Sequence, residues 1–402
     1  MDVLLEIFEI LINALPMGDQ LWIAFIFILV LSVLVFVHEY GHYKAARICG
    51  VNVKSFSIGF GKELFGWTDK HDTRWKFSLV PLGGYVEMLG QGTEEGVTTD
   101  NEHESFAHKN VWQRIFIVFA GPLANFLFAY GALMGLFAVS GEQVMLPKIG
   151  AVIAGMPAES AGLMPNDLIQ KIDGVEVKSW EQLTETIVSS GGNAMSLSVL
   201  NTDTETSRNI ILTPELNERT NHFGETVSVP FAGISPASAY GTVNHGLIGG
   251  LERGFSRTNQ YIGLTLQAFG KLITGSIGHE NLGGPVMIAK MSAQAAETGL
   301  YPLLIFMSII SINLAIINLF PVPILDGGHL LFYFIEILKG SPVSEKSQEK
   351  ATQVGFAAIV VLMTLAIGND IRREVNGFFD KPQKETLEES VQTISPETQT
   401  GE

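Results

Sequence analysis

The sequence has 402 residues, of which 47% are apolar and 16% charged, and its mean hydropathy is +0.28. The charged fraction is low for a soluble globular protein, in which about a quarter is usual, and the net charge of −16 argues against a nucleic-acid partner, since phosphate binding needs a basic face. The single cysteine, Cys49, excludes an intrachain disulfide framework and a cysteine-rich zinc cluster.

Four segments without charge predict membrane-spanning helices, because a span needs about 20 apolar residues, or about 17 at the least. They are Leu21 to Val37, Ile115 to Val139, Tyr301 to Phe320 and the shorter Val354 to Gly368. Residues 3 to 15 predict an amphipathic surface helix. Residues 1 to 20 contain four acidic residues and no lysine or arginine, unlike the start of a cleaved signal peptide, so we expect the first span to be retained.

The distribution of lysine and arginine predicts the orientation of the spans, since cytoplasmic loops are enriched in both. Basic residues cluster between the first two spans and between the last two. Residues 43–112 and the loop around 340–350 are therefore expected inside, and residues 140–300 and both termini outside the cytoplasm. Arg372 and Arg373, after the last span, depart from this pattern.

The first span ends in His38-Glu39-Tyr40-Gly41-His42, which fits the pattern H-E-x-x-H. On a helix, positions i and i+4 share a face, so both imidazoles can reach one Zn²⁺ while Glu39 faces the metal-bound water. Five residues are a weak signal, and a polar helix end is the simpler explanation. Ionisable groups next to a charge-free span are costly and usually functional, which favours the zinc site.

A catalytic zinc site needs a third protein ligand and an open fourth position. Glu63 and Asp69 lie in a strand-like stretch, which weakens them as candidates. Asp326 follows two prolines and precedes two glycines at the end of the third span. Because the first and third spans both run inward, His38 and Asp326 are expected at the same depth near the cytoplasmic face. An ordinary turn at a membrane exit remains an alternative, and His329 is a rival ligand.

Between the first two spans, Lys54 to Ile58 and Arg74 to Val80 alternate polar and apolar residues, as half-buried strands do. An exposed strand edge can hold a peptide extended by offering it backbone hydrogen bonds. A hairpin that only packs on the membrane surface is the alternative.

Six short segments in this order resemble the site-2 protease family of intramembrane metalloproteases, in its bacterial RseP-like branch. They are His38 to His42, Gly59-Phe60-Gly61, Pro81 to Tyr85, Gly121-Pro122-Leu123-Ala124-Asn125, Gly283-Gly284-Pro285 and Asn318 to His329. The resemblance implies a Zn²⁺ cofactor held by His38, His42 and Asp326, with Glu39 as general base. It also implies that the β segment, about 51–90, presents unwound substrate to the metal; the substrate-positioning residues are then Asn318, Gly59, Gly61, Gly83 and Gly84.

Residues 149–215 change to short apolar runs separated by turn residues, with a helix predicted over Glu181 to Val188. Pro157 to Asp167, followed by Ile172-Asp173-Gly174, resembles a PDZ domain of the bacterial protease type. We expect an extracytoplasmic α/β PDZ-like domain, and the family resemblance implies that it acts as a size filter or gate over the active site. A linker and an amphipathic surface helix are expected over 216–300, a second membrane half over 301–368, and a C-terminal tail over 369–402 that is disordered from about 381.

The expected fold is therefore a polytopic α-helical membrane protein of about four spans, in a bacterial inner membrane, with a small β segment and the inserted domain. The resemblance implies an intramembrane zinc endopeptidase that cuts single-span membrane proteins, such as anti-sigma factors or signal-peptide remnants, after a preceding site-1-type protease. Two alternatives are a catalytically silent scaffold whose PDZ-like module binds exported peptides, and a membrane zinc protease that cuts cytosolic loops. Retention of all four chemical residues argues against the first, and the Asn-Pro-Pro-Asp run against the second.

Overall fold

The computed structural model describes residues 18–91, 97–220, 226–276, 278 and 283–392. The amphipathic helix predicted over residues 3 to 15 lies outside this range. The chain divides into two compact units, one formed by Met1–Ala129 with Gly278–Glu402 and the other by Tyr130–Ile277.

The helices and strands of the described residues alternate along the chain. The helices are α1 (Asp19–Ile48), α2 (Val111–Ser140), α3 (Pro157–Ser160), α4 (Trp180–Ser189), α5 (Gly246–Ile273), α6 (Pro285–Thr298), α7 (Leu300–Asn318), α8 (Asp326–Lys339) and α9 (Glu345–Gln392). The strands are β1 (Val53–Thr68), β2 (Arg74–Met88), β3 (Glu142–Met145), β4 (Ile149–Val152), β5 (Asp167–Ile172), β6 (Val175–Glu176), β7 (Met195–Asn201), β8 (Thr206–Leu212), β9 (Glu215–Thr220), β10 (Thr226–Phe231), β11 (Ile234–Pro236) and β12 (Tyr240–Val243).

Within the described part of the chain, four helices are long and apolar enough to cross a membrane, and they coincide with the four predicted spans. They are α1, α2, α7 and residues Glu345–Val375 of α9. Helices α1 and α9 extend well beyond the charge-free segments, because residues such as Glu, Lys and Ala continue a helix readily. Helix α9 continues to Gln392, past residue 381 where the sequence predicts disorder.

In the first unit, the core lies along α1. The N-terminal half of α1 packs on α6 and α7 through a buried cluster formed by Ile26, Val30, Leu34, Ala296, Leu303 and Met307. The other half packs on the β hairpin and on α2 through a second cluster that includes Tyr43, Phe56, Val86 and Ile117. The His-Glu motif near the end of α1 therefore lies where the helix is enclosed by hairpin and α2.

The hairpin is longer than the two predicted strands and is folded on itself. Residues 53–58 of β1 pair on one side with 74–77 and on the other with 84–88, with several shifts of register. The alternation over Lys54 to Ile58 predicts a strand whose polar side chains are exposed, and this is wrong for Ser55 and Ser57, which are buried at 4% and 0% exposure. Their hydroxyls are satisfied within the hairpin, as Ser57 Oγ donates to the Gly59 carbonyl at 2.9 Å.

The second unit contains a four-stranded antiparallel sheet in the order β6-β5-β7-β8. Helix α4 packs on it through Leu183 and Ile187. The same core contains Ala232 and Ile234, and β11 pairs with β4. Residues after 215, where the sequence predicts a linker, thus form strands that pack with this module.

A buried cluster of charged side chains joins β3, α4 and α5 within the second unit. Glu142, whose side chain is 5% exposed, accepts hydrogen bonds from Arg253 Nε and Arg257 Nη2, each at 2.7 Å. Arg257 also donates to both carboxylate oxygens of Glu181, at 2.8 and 2.7 Å. The hydrogen bonds from Arg257, with a further one from Gln260, lower the pKa of Glu181 to about 2.

Replacing Arg257 by methionine is expected to destabilise the second unit by about 3 kcal/mol, because it leaves buried Glu142 short of a partner. The depressed pKa of Glu181 means that its contribution is complete above its ordinary value of 4.5 and is lost as the pH falls towards 2, so the difference between variant and wild type should shrink over that range. Thermal unfolding and limited proteolysis of the full chain measure it. The control is Lys178→Met, which removes an exposed pair with Glu176 and should change little; equal effects of the two changes would contradict the prediction.

Candidate metal centre

His38 and His42 lie one turn apart on the same face of α1, and both are buried, at 8% and 9% exposure. Between them, Gly41 lies against α2: a β-carbon there would come within 2.2 Å of the Ala120 carbonyl oxygen. Only glycine allows α1 and α2 to approach this closely. The close approach excludes water from one side of the two imidazoles.

Asp326 is the first residue of α8, directly after the irregular segment that follows α7. Gly327 and Gly328 allow that segment to fold back onto the first turn of α8. A β-carbon at Gly327 would lie 2.3 Å from the carbonyl oxygens of Leu319 and Phe320, and one at Gly328 would lie 2.4 Å from that of Val322. The two glycines thus fix the position of the Asp326 carboxylate.

The three side chains bring one nitrogen or oxygen atom each to a single point. His38 Nε2 lies 3.2 Å from His42 Nε2 and 3.1 Å from Asp326 Oδ2, and His42 Nε2 lies 3.5 Å from the same oxygen. Ligand atoms about 2.0–2.1 Å from a tetrahedral Zn²⁺ are separated by about 3.3 Å. Asp326 Oδ2 is buried and, among the described residues, accepts no hydrogen bond. Donor set, spacing and the unsatisfied oxygen all fit a zinc ion.

Helix α2 contacts the Nδ1 atoms of both imidazoles, on the side of each ring away from the converging Nε2 atoms. His42 Nδ1 donates to the Ile117 carbonyl at 2.9 Å, and the Asn125 amide lies 3.3 Å from His38 Nδ1. A β-carbon at Gly121 would meet both rings, at 2.3 Å from His42 Nε2 and 2.9 Å from His38 Cε1. Sequence reasoning assigned none of these three residues a role, although the i,i+4 spacing of Gly121 and Asn125 indicates a common helix face.

Glu39 is half-buried on α1, next to the last part of β2. Its carboxylate accepts a hydrogen bond from the backbone N–H of Val86. Gly84 allows this contact, since a β-carbon there would lie 3.1 Å from Glu39 Cγ and 2.7 Å from the Ser57 carbonyl oxygen. The carboxylate interacts electrostatically with His38, His42 and Asp326. It is thus placed beside the convergence of ligand atoms but is not one of them.

The remaining predicted residues lie around this centre in different ways. Asn318 is the last residue of α7 and is half-buried. Gly59, Gly61 and Gly83 have φ angles of 91°, 87° and 123°, at the bends where the hairpin folds on itself. His329, the rival ligand, is exposed, lies beside Phe332 and does not belong to the His38–His42–Asp326 cluster of ligand atoms.

Comparison with known proteins agrees with this geometry. Residues 26–362 match the family described as peptidase family M50, the site-2 protease family. The chain belongs to this family. Among the relatives of this chain, two named "putative zinc metalloprotease" come from Brucella suis biovar 1 (35% identity, 86% of this chain and 94% of the relative) and Pasteurella multocida (36%, 88% and 99%). A third, from Haemophilus influenzae, is named regulator of sigma E protease (34%, 88% and 99%).

Membership of family M50 confirms the enzyme class and the cofactor predicted from the sequence: the chain is a zinc metalloprotease. The four apolar helices fit a multi-pass membrane protein. Regulated intramembrane proteolysis is the general activity that the family and the third relative's name support.

Proposed function

We propose that this chain hydrolyses peptide bonds in or next to the transmembrane segment of single-span membrane proteins, with His38, His42 and Asp326 as zinc ligands and Glu39 as general base. The convergence of the three ligand atoms within 3.1–3.5 Å of one another carries the proposal. These residues come from the ends of two helices, α1 and α8, so the centre exists only in the folded chain.

Zn²⁺ bound here would polarise a water molecule and the scissile carbonyl. Glu39 would take a proton from the attacking water and pass it to the leaving amine nitrogen, as a general base and then a general acid. Its half-buried position beside the ligands allows both transfers, and the Val86 N–H holds the carboxylate in one orientation. Asn318, at the end of α7, is the proposed donor that positions the scissile bond.

Substrate is proposed to bind as an extended strand along residues 84–88 of β2. These residues pair with β1 on one side, and among the described residues no strand pairs with their other edge. That edge begins at Gly84, in contact with Glu39. A peptide added there would gain backbone hydrogen bonds in place of those lost when its own helix unwinds.

The orientation predicted from basic residues supports a site near the cytoplasmic face of a bacterial inner membrane. Residues 140–300 would then be extracytoplasmic, with the PDZ-like module acting as a gate that admits shortened substrates. This would require an earlier cut by a site-1-type protease. Anti-sigma factors and signal-peptide remnants are the proposed substrates, in line with the name of the Haemophilus relative.

Removal of the metal tests the proposal. Purified protein in lipid vesicles should cleave a single-span substrate in or beside its transmembrane segment, lose this activity with a zinc chelator, and regain it with added Zn²⁺. Mass spectrometry of the products locates the cut. A matched substrate with the same loops but a polyleucine helix, which unwinds less readily, is the control. Cleavage confined to extramembrane loops of both substrates would overturn the proposed specificity while leaving a zinc protease.

A further inference from the structure

Asn125 is a buried polar residue that the proposed mechanism does not use. It lies on α2 with 0% exposure, one helical turn after Gly121, which packs against both ligand imidazoles. Its side-chain amide faces His38 Nδ1 at 3.3 Å, on the side of the ring opposite to the converging Nε2 atom. Any hydrogen bond here therefore decides which nitrogen of His38 carries the proton.

His42 shows the arrangement that zinc binding requires. Its Nδ1 lies 2.9 Å from the Ile117 carbonyl oxygen, which can only accept, so the proton is on Nδ1 and Nε2 keeps its lone pair. Metal-ligating histidines generally donate their second N–H in this way, which fixes tautomer and ring orientation. His38 needs an equivalent acceptor at its own Nδ1.

With Nδ2 of Asn125 towards His38, the imidazole would take the opposite tautomer. Asn125 Nδ2 faces Nδ1, so it would donate to that nitrogen and move the proton to Nε2, which is 3.1 Å from Asp326 Oδ2. Such an Nε2 cannot bind a cation. Asn125 Oδ1 meanwhile is buried and, among the described residues, accepts no hydrogen bond. Rotation of the amide by 180° gives His38 the tautomer that binds a cation and gives Oδ1 the Nδ1–H as a donor.

We infer that Asn125 is the positioning residue of His38: Oδ1 accepts a hydrogen bond from Nδ1–H and keeps Nε2 free for Zn²⁺. This inference rests on the ligand set of the proposed function. The turn of α2 that carries Asn125 is itself anchored, because Ser311 Oγ on α7 donates to the Asn125 backbone carbonyl at 2.9 Å. Nδ1 of each imidazole thus faces an acceptor on α2, which is a backbone carbonyl for His42 and the Asn125 side chain for His38.

The test measures zinc affinity of the purified full chain by competition with a chromophoric chelator, and the visible spectrum after Co²⁺ substitution. Asn125→Leu keeps the approximate size but offers no acceptor, and should lower zinc affinity about 10–100-fold and alter the Co²⁺ absorption. Asn125→Asp offers only acceptors when ionised, and should bind zinc at least as tightly as wild type. Wild-type affinity in Asn125→Leu would overturn the inference. A loss in Asn125→Asp equal to that in Asn125→Leu would overturn it too, since it would assign the role to the N–H donor.

Two further variants are needed. One separates an effect of helix packing from the positioning of His38, and the other separates failure of the proposed ligand set from failure of the role of Asn125. Ser311→Ala removes the hydrogen bond that anchors this turn but keeps the Asn125 side chain, and should lower zinc affinity much less than Asn125→Leu does; a loss equal to that of Asn125→Leu would assign the effect to helix packing and overturn the inference. His38→Ala should lose zinc. If it keeps zinc, the proposed ligand set fails; if it loses zinc while Asn125→Leu keeps it, only the role of Asn125 fails.

Discussion

Replacing Glu39 by glutamine is expected to abolish peptide hydrolysis while zinc stays bound. Glutamine has nearly the same shape, so it can keep the packing against Gly84 and accept from the Val86 N–H through its amide oxygen. It cannot take a proton from water, and loss of general acid–base catalysis costs about 10²–10⁴-fold in rate. The measurement is cleavage of a single-span substrate in vesicles, with zinc per chain determined on the same sample.

The matched control is Glu349→Gln, the same substitution at an exposed glutamate on α9. It should leave both zinc content and cleavage near wild type. Unchanged cleavage in Glu39→Gln would remove Glu39 from the mechanism. Loss of zinc in that variant would instead assign it to the metal and contradict its role as a base.

The helical half of the site could be predicted because it is local. Placement of His38 and His42 on one face follows from helical spacing alone, and the charge-free segment before them indicates that a helix continues into the motif. The structure adds that α1 runs unbroken to Ile48. The same reasoning placed Asp326 near the end of a broken helix, but the sequence left His329 open as a rival. The backbone contacts of Gly327 and Gly328, which aim the carboxylate, depend on the folded segment before α8.

The hairpin shows why pairing is harder to predict than strand character. Alternation of polar and apolar residues predicted Lys54 to Ile58 and Arg74 to Val80 as half-buried strands, with one face buried and the other exposed. In the structure β1 is enclosed by two stretches of β2, so both of its faces and both of its edges are occupied at Ser55 and Ser57. Strand pairing between distant residues depends on where the chain turns, and here the turns are glycines with positive φ inside the strands.

A hydrogen bond to a backbone carbonyl cannot be predicted from residue types. The acceptor that orients His42 is the Ile117 carbonyl, and any residue type at that position supplies one. Asn125 is different, because its side chain carries the acceptor and its identity is visible. A buried amide one turn from a glycine, on a helix facing two histidines, is a pattern that sequence analysis can use once the helix faces are known.

Replacing Asp326 by asparagine is expected to lower zinc affinity by more than about 100-fold. Loss of a hydrogen-bonding partner of a ligand lowers metal affinity about 10–100-fold, and this substitution removes a charged ligand itself. Asparagine nearly preserves the volume, so the turn held by Gly327 and Gly328 can persist. Zinc content and chelator competition measure the effect, and cleavage should fall with it.

His329→Ala is the control for the rival ligand, since His329 lies three residues further along α8, is exposed and stands outside the cluster of ligand atoms. It should retain zinc and cleavage. The opposite pattern, with zinc lost in His329→Ala and kept in Asp326→Asn, would show that His329 and not Asp326 is the third zinc ligand. Because Asp326 Oδ2 lies 3.1 and 3.5 Å from the two imidazole nitrogens, the structure favours the first result. The metal would then join the ends of α1 and α8, and its removal should loosen the contact between them as well as stop the chemistry.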